Sequence, residues 1–467
     1  MENNLMLDKN LSLLKRFLII IVPFFLFLII FNQININIIL GIFLLILAYF
    51  LFKDYLWIFL VLAIPSLVFG EIVNISITSS WVYEARVAEV LLLTAVIIFL
   101  SEKFISAKIK EIKVDKLVMM LFFFLLISVA LIYQITDFRL YIFGLKVTTF
   151  SFLAYFLSIN LIDSKEKIKW FLYSLSATAF IVSAQIFYKF YELGWSSKFF
   201  FARHLIEIPI GPIALASAIL VLMLPIILSL YFQEDKNNKI KPFLLIIFLV
   251  GLVAVFISLG KAAILSLAIG LFYLFIKIKD KRIVFILFFL LFIILSFIML
   301  SPFFSGLIER LSTTFTDVNT EFRLLEYETG WKIIKNNLVF GIGPGQQLLV
   351  FKKMLNLDSS QLVNNYFLQA AIDLGIIGLS LAVLITFNIY FKARRLRKYL
   401  ENNLILVYGF VASLIVAFIN GLAEVTFFAM SYAIIFWLIV GAFNNLRVFT
   451  DSDYVKNKKV KKYIHLN

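Results

Sequence analysis

The chain has 467 residues, of which 63% are hydrophobic and 15% charged, and its mean hydropathy is +1.01. Soluble domains are about half apolar and a quarter charged, so this composition excludes a soluble globular protein and predicts a polytopic membrane protein. The net charge of +15 does not indicate nucleic-acid binding, because Lys and Arg flank membrane helices on the cytoplasmic side. Without cysteine, and with only His204 and His465 as histidines, no metal site is expected.

Apolar segments of about 20 residues, the length that crosses a bilayer, predict about fourteen membrane helices. The first, "FLIIIVPFFLFLIIF", has no small-residue cleavage site and is interpreted as a helix rather than a signal peptide. The predicted spans lie near 17–32, 36–52, 55–70, 85–100, 117–134, 146–162, 168–189, 209–232, 243–259, 262–277, 283–300, 373–391, 403–421 and 425–445.

Alternating these spans from an inner N-terminus places most of the 43 Lys and Arg residues in inner segments, as the positive-inside rule requires. Both termini are therefore expected in the cytoplasm. The protein is expected in the inner (cytoplasmic) membrane. The same alternation predicts a tight outer turn at "SLGKAA", residues 258–263.

The composition changes in one stretch that is too polar to span the membrane, residues 301–372. The predicted organisation has four parts: transmembrane helices 1–11 (1–300), an extracytoplasmic catalytic loop (301–372), transmembrane helices 12–14 (373–446) and a basic cytoplasmic tail (447–467). Long loops in compact structures are usually functional. A smaller outer loop, 191–209, is expected to pack beside the long one.

The segment "NTEFRLLEYETGWKII", 319–334, is predicted to be a helix within this loop. One face carries four residues at helical spacing: Arg323, Glu326, Tyr327 and Gly330. That face offers a cation, a carboxylate, a phenol and a gap, while Phe322, Leu325 and Ile333 are expected to bury. The alternative is a plain surface ion pair on an amphipathic helix.

Glycines dominate the motif "GIGPGQ", residues 341–346. It lacks the Lys-Ser/Thr of a Walker loop and lies on the outer side, which argues against ATP. Its backbone amides, followed by a helix start, suit an anion. The alternative, a Gly-Pro turn between two short helices, is the more economical interpretation of this stretch alone.

A further cation, Lys261, lies on the predicted outer turn, where it must snorkel or meet an anion. Lys261, Arg323 and the glycine turn are thus all expected on the outer side. An abundant anion there is the diphosphate of a polyprenyl-linked sugar, which is the hypothesis for the ligand.

Four features in order, over about 245–390, resemble the superfamily of O-antigen ligases and Wzy-type polysaccharide polymerases. They are "SLGKAAILSLAIGL", then "EFRLLEYETGWKIIKNNLVFGIGPGQ", then "VNNYFLQAAIDLGIIGL", and the basic cytoplasmic loop after the next span. The resemblance implies an all-α glycosyltransferase bundle of the GT-C type with one long extracytoplasmic helical loop. It also implies transfer of a glycan from undecaprenyl diphosphate to an acceptor hydroxyl without a nucleotide sugar and, for the ligases, without a metal; no cofactor is expected.

The two arginines that are essential in this superfamily correspond to Lys261 and Arg323. Lysine keeps the charge but loses the bidentate fork that suits phosphate. The essential histidine of the ligases corresponds to Asn364, which cannot accept a proton as a general base. Together with Asn365, it favours a polymerase.

The catalytic assignment places Arg323 and Lys261 on the leaving diphosphate, with Glu326 as first choice for the base and Asn364 beside it. Asp373 and Glu321 are reserves for the base. The expected substrate contacts come from amides, aromatic rings and the glycine turn: Asn365, Tyr327, Trp331, Tyr366, Gly341, Gly343, Pro344 and Gly345. For the aromatic residues, packing in the core or the membrane interface is the competing interpretation.

Two alternatives to the polymerase stay open. A ligase would move a finished glycan to a lipid or protein acceptor. A transporter or flippase would carry ionisable residues at mid-membrane or paired broken helices, whereas the predicted spans are almost free of charge at mid-depth, with Glu89 and Glu424 near span ends. The expected partners are the undecaprenyl-diphosphate-linked glycan, an acceptor glycan or lipid and the bilayer, with no nucleic acid; the polymerase interpretation also allows a chain-length regulator.

Overall fold

The computed structural model describes residues 53–69, 73–78, 81–193, 206–235, 237–258, 260–278, 318–355, 362–399 and 404–447. The predicted spans at 17–32, 36–52 and 283–300 lie outside these residues, as do both histidines and the tail. The loop at 191–209 is described only at its two ends.

Most of the described residues are helical, and two short antiparallel β-hairpins are also present. The helices are α1 (Trp57–Ser66), α2 (Val87–Ile105), α3 (Lys116–Ala130), α4 (Phe138–Leu161), α5 (Lys165–Glu192), α6 (Ile213–Gln233), α7 (Ile240–Ser258), α8 (Lys261–Lys277), α9 (Val318–Asn336), α10 (Gln347–Met354), α11 (Tyr366–Tyr399), α12 (Leu404–Gly421) and α13 (Met430–Asn444). Short 3₁₀ segments follow α1, α2, α3 and α13, at Leu67–Phe69, Ile109–Glu111, Leu131–Gln134 and Asn445–Arg447. The hairpins pair β1 (Val73–Thr78) with β2 (Trp81–Ala85) and β3 (Glu207–Ile208) with β4 (Gly211–Pro212).

Each predicted span within the described residues falls on a helix. Six of these helices are long and apolar enough to cross a membrane, and the protein is a multi-pass membrane protein. The total of fourteen spans stays a prediction. The tight turn at 258–263 is confirmed, because α7 ends at Ser258 and α8 begins at Lys261. The β1–β2 hairpin between the first two described helices was not predicted.

The start of α4 differs from the prediction. The span expected from residue 146 begins eight residues earlier, at Phe138, where the carboxylate of Asp137 accepts hydrogen bonds from the first amides of α4. Lys146 therefore lies two turns inside the helix, and its Nζ is 2.8 Å from the carboxylate of Glu89, which is 2% exposed. An internal cation at this depth is tolerated because it is paired.

The central helix is α6, whose most apolar stretch is 89% buried. It runs antiparallel to α12, since Ser413 Oγ donates to Leu222 O at 2.6 Å while Gly409, four residues earlier, packs against Ser229. Short turns reverse the chain from α6 to α7 and from α7 to α8. The end of the bundle where α6 and α8 begin and α12 ends is called the site end below.

The longest helix, α11, carries a break that matters for the site. Gly375 has a φ of 64° and a ψ of −155°, so the chain is not helical there. At the start of α11, Asn365 Oδ1 accepts from the amides of Phe367 and Leu368, both at 3.0 Å, a side-chain cap of the usual kind. Near the other end, Lys392 contacts the carboxylate of Asp115. Lys392 thus fixes this end of α11 to the start of α3.

Candidate active site

The helix predicted at 319–334 exists as α9, but its polar face points inward. Glu326 is 0% exposed, and a Cβ on Gly330 would lie 3.1 Å from Ile372 and 3.3 Å from Leu368 of α11. The gap expected at Gly330 is therefore filled by the protein itself. The expectation that Leu325 is buried was wrong, since it is 45% exposed, whereas Ile333 is buried.

A buried carboxyl–amide pair explains why the polar face can point inward. Asn364 Nδ2 donates to Glu326 Oε2 at 2.8 Å, which satisfies one carboxyl oxygen, while Oε1 has no hydrogen-bond partner. Burial raises the pKa of the Glu326 carboxyl; the hydrogen bond from Asn364 and the charge of Arg323 oppose this to a smaller extent. Two of the four residues that the sequence assigned to catalysis, Glu326 and Asn364, thus contact each other directly.

Arg323 forms its salt bridge with a residue that the sequence did not assign. Its Nη2 lies 3.0 Å from Oε1 of Glu424, and the two side chains are 36% and 24% exposed. Glu424 belongs to the turn 422–429 between α12 and α13. The signal that points to it is a single carboxylate in a short turn on the side predicted for the long loop.

The turn that carries Glu424 is held by two further contacts. Asn365 Nδ2 donates to Leu422 O at 3.3 Å, and the Tyr327 hydroxyl lies 3.5 Å from the same oxygen. The Tyr327 hydroxyl also donates to Asn364 O at 3.1 Å. Asn365 and Tyr327, two of the predicted substrate contacts, therefore make hydrogen bonds within the protein at the site.

Lys261 lies at the same end of the bundle. Gly270 of α8 packs against Ala412 and Val416 of α12, and the two helices are antiparallel. Lys261 is nine residues before Gly270, and Gly421 is nine residues after Ala412, so an equal rise along both helices brings Lys261 level with the turn that holds Glu424.

The motif at 341–346 docks against the break in α11. The amides of Ile342 and Gly343 donate to Ile372 O and Asp373 O, both at 2.9 Å, and the Ile376 amide donates to Leu338 O at 2.8 Å. The Gly341 amide also donates within the chain, to Asn337 O at 2.9 Å. Since these amides already have acceptors, the structure favours the turn interpretation over an anion-binding loop.

Glutamines fix the same turn from its far side. Gln346 accepts from the Thr136 and Asp137 amides at 3.1 and 2.9 Å and donates to Asp137 O at 2.7 Å. Gln347 Nε2 donates to Asp373 Oδ1 at 3.0 Å. Asp373, the reserve for the base, is thus 7% exposed and already hydrogen-bonded.

A cavity of about 80 Å³ lies beneath the turn and has Pro344 and Tyr366 in its wall. The Tyr366 ring lies 4.5 Å from that of Phe427, centre to centre. Trp331 is 55% exposed, and Lys335 Nζ lies 5.9 Å from its ring centre. Within the described part of the chain, no cluster of three or more His, Asp or Glu residues is arranged to hold a metal ion.

Residues 245–383 match the family model described as O-antigen ligase. The resemblance to the O-antigen ligase and Wzy-type superfamily is confirmed. No curated protein matches the chain. Members of this family are glycosyltransferase-like ligases and polymerases, so the match supports an enzyme in broad terms, and it gives the transporter alternative no support. The matched segment contains Lys261, Arg323 and Asn364 but ends before Glu424.

Two carboxyls of α9 are expected to make stability depend on pH in opposite directions. Because the pKa of Glu326 is raised from its ordinary 4.5, its contribution is largest below that value and is lost as pH rises through the folded pKa. Glu326→Gln should therefore gain stability relative to the parent as pH rises from about 4.5. The measurement is thermal unfolding in detergent over a pH series.

The matched control on the same helix is Glu328→Gln. Its partner Lys332 holds the pKa of Glu328 below its ordinary value, so the contribution of Glu328 is present above that value and lost in acid. The exposed pair should give a small effect of opposite sign. A pH-independent difference between Glu326→Gln and the parent would contradict the assignment of a raised pKa.

Proposed function

We propose that the protein is a Wzy-like polymerase of undecaprenyl-diphosphate-linked oligosaccharide repeat units, acting in O-antigen, capsule or exopolysaccharide assembly. It transfers the glycan from the lipid diphosphate to a hydroxyl of an acceptor sugar. The observation that carries this proposal is the position of Arg323. Its guanidinium is partly exposed, lies within the matched O-antigen ligase segment and is paired with a partly exposed carboxylate that a stronger anion can displace.

The leaving diphosphate needs cations that are already in place. Arg323 offers a bidentate fork to phosphate oxygens and Lys261 a point charge, and both belong to the site end of the bundle. In this proposal the two cations neutralise the charge that develops on the diphosphate as the glycosidic bond to it breaks.

Asn364 supports polymerase rather than ligase. A side-chain amide has no basic site that could take the proton of an acceptor, and here its nitrogen is bound to Glu326. The role that fits is to present its carbonyl oxygen to sugar or phosphate, with Glu326 fixing its orientation. A ligase that moves finished glycan remains the alternative function for this site.

Substrate contacts are proposed for residues around this pair. Trp331, which is exposed, offers a ring face to a sugar, and Asn365, Tyr327 and Tyr366 line the approach from α11. The glycine turn, with Gly341, Gly343, Pro344 and Gly345, is proposed as a wall of the site. An apolar groove of about 430 Å³ between α11 and α12, running from Ala393 to Ile419, suits a hydrocarbon tail.

The proposed topology follows the charge distribution of the sequence. Both termini lie in the cytoplasm, about fourteen spans form a bundle of the GT-C type, and residues 301–372 are extracytoplasmic. A lipid-linked glycan is then reached from the outer side without a nucleotide sugar. The acceptor is the growing glycan, and a chain-length regulator is a further proposed partner.

The decisive experiment is a gene deletion, with surface glycans and polyprenyl-linked glycans separated side by side on a gel. A polymerase predicts loss of long chains together with accumulation of single repeat units on the lipid carrier. Long chains that stay on the carrier would instead identify a ligase. If neither pool changed, the glycosyltransferase assignment would have to be abandoned.

A further inference from the structure

The proposed transfer requires a group that removes the proton from the acceptor hydroxyl, and among the described side chains two carboxylates lie near Arg323, those of Glu326 and Glu424. A general base must come within about 2.6–3.2 Å of the hydroxyl oxygen. Glu326 is 0% exposed and sits beneath Asn364. The Glu424 side chain is 24% exposed, so of these two carboxylates only Glu424 is within reach of a sugar from outside the protein.

Hydrogen bonds hold the backbone around Glu424, whereas its carboxylate can exchange its partner. The Glu424 amide donates to Asn420 O at 2.9 Å, and Leu422 O accepts from Asn365. The side chain, in contrast, is held by an ion pair with Arg323 whose partners are both partly exposed. Such pairs contribute little net free energy, so their separation costs little.

A diphosphate competes directly for Arg323. It carries more charge than a carboxylate and matches the guanidinium fork, and Lys261 lies level with the same turn. When Arg323 turns to the diphosphate, Glu424 loses its cationic partner. The carboxylate oxygens of Glu424 are then available to accept a hydrogen bond from an acceptor hydroxyl.

We propose that Glu424 is the general base of the transfer and that binding of the lipid diphosphate releases it from Arg323. The acceptor oxygen forms a bond to the anomeric carbon, and its proton passes to the Glu424 carboxylate. The bond from the anomeric carbon to the phosphate oxygen breaks, and its electron pair leaves with the diphosphate. The ion pair thus keeps the base inactive until the donor substrate is bound. This inference rests on the proposed function.

The test uses the full-length protein in nanodiscs with lipid-linked repeat units as substrate. Glu424→Gln should reduce kcat by about 10²–10⁴-fold, the range for loss of a general base, and Glu424→Asp should recover part of it. Undecaprenyl diphosphate, used as a binding probe, should bind Glu424→Gln as tightly as the parent or more tightly, because Arg323 has lost its competitor. Glu326→Gln should keep kcat within about tenfold of the parent, well short of the loss of a base.

The matched control is Glu192→Gln at the end of α5, where Glu192 pairs with Lys189 at 2.7 Å and is half exposed. It should leave kcat and probe binding unchanged. A parent-like kcat for Glu424→Gln, or a loss of probe binding in step with kcat, would overturn the role of Glu424 as base. If kcat fell with Glu326→Gln instead, the base would be Glu326. If the parent itself transferred no lipid-linked glycan, the proposed function would fail, and this inference with it.

Discussion

Replacing Arg323 with alanine is expected to abolish polymer formation while the protein still folds and inserts. The guanidinium is the bidentate cation at the proposed diphosphate site, and loss of one such preorganised group costs about 10²–10³-fold in rate. Arg323→Lys keeps the charge without the fork and should retain part of the activity. The measurement is the rate of transfer from lipid-linked repeat units by purified protein, together with glycan length in cells that carry each variant.

The control for Arg323 lies on the same helix. Lys332 forms an i,i+4 pair with Glu328 at 2.7 Å, and both side chains are more than half exposed. Lys332→Ala should therefore change stability by less than about 1 kcal/mol and leave transfer intact. Normal polymer length in the Arg323→Ala strain would remove Arg323 from the mechanism.

The second large effect is expected at Gly345. Its φ is +76°, and an added Cβ would overlap the backbone carbonyl oxygen of Leu140 on α4. Neither the turn nor α4 can relax easily, because Gly144 packs against the same turn, where a Cβ would lie 2.7 Å from the Gly345 amide nitrogen. Gly345→Ala should destabilise the fold by more than about 3 kcal/mol through strain and overlap. Thermal unfolding in detergent measures the change.

Gly343→Ala separates strain from overlap. The φ of Gly343 is +93°, but the nearest atom to an added Cβ, in the Gln346 side chain, is 3.5 Å away, an ordinary contact distance. Only the backbone conformation is then unfavourable, at about 1–2 kcal/mol. Equal unfolding temperatures for the two variants would show that the turn does not pack on α4 as described.

Local patterns in the sequence were sufficient to locate helices. Apolar run lengths found all the described helices except α9 and α10, and residue spacing found α9 within two residues of its observed bounds. The chief error in position, at the start of α4, arose because hydropathy stops at Arg139 and Lys146 while the Asp137 cap allows the helix to begin earlier. The β1–β2 hairpin was missed because its segment is short and lies between two apolar runs.

Contacts between segments that are distant in the sequence could not be predicted from such patterns. Arg323 and Glu424 are separated by 101 residues, and no periodicity links them. The prediction of which face of α9 is buried was also wrong. A polar face can be buried here because Asn364, from another segment, donates a hydrogen bond to Glu326. Whether Lys261, Arg323, Asn364 and the glycine turn act on substrate stays a prediction, which the variants above test for Arg323.

The break at Gly375 has a consequence for biogenesis. Carbonyl groups at a break in a membrane helix need partners, because lipid supplies none. Here the amides of Ile342 and Gly343 satisfy the oxygens of Ile372 and Asp373. In the proposed topology, the first part of α11 therefore reaches its final backbone conformation only after the preceding loop has crossed the membrane and returned to it. Export of that loop and completion of the span would then be one step of assembly, and a chain halted between them would expose unsatisfied backbone to quality control.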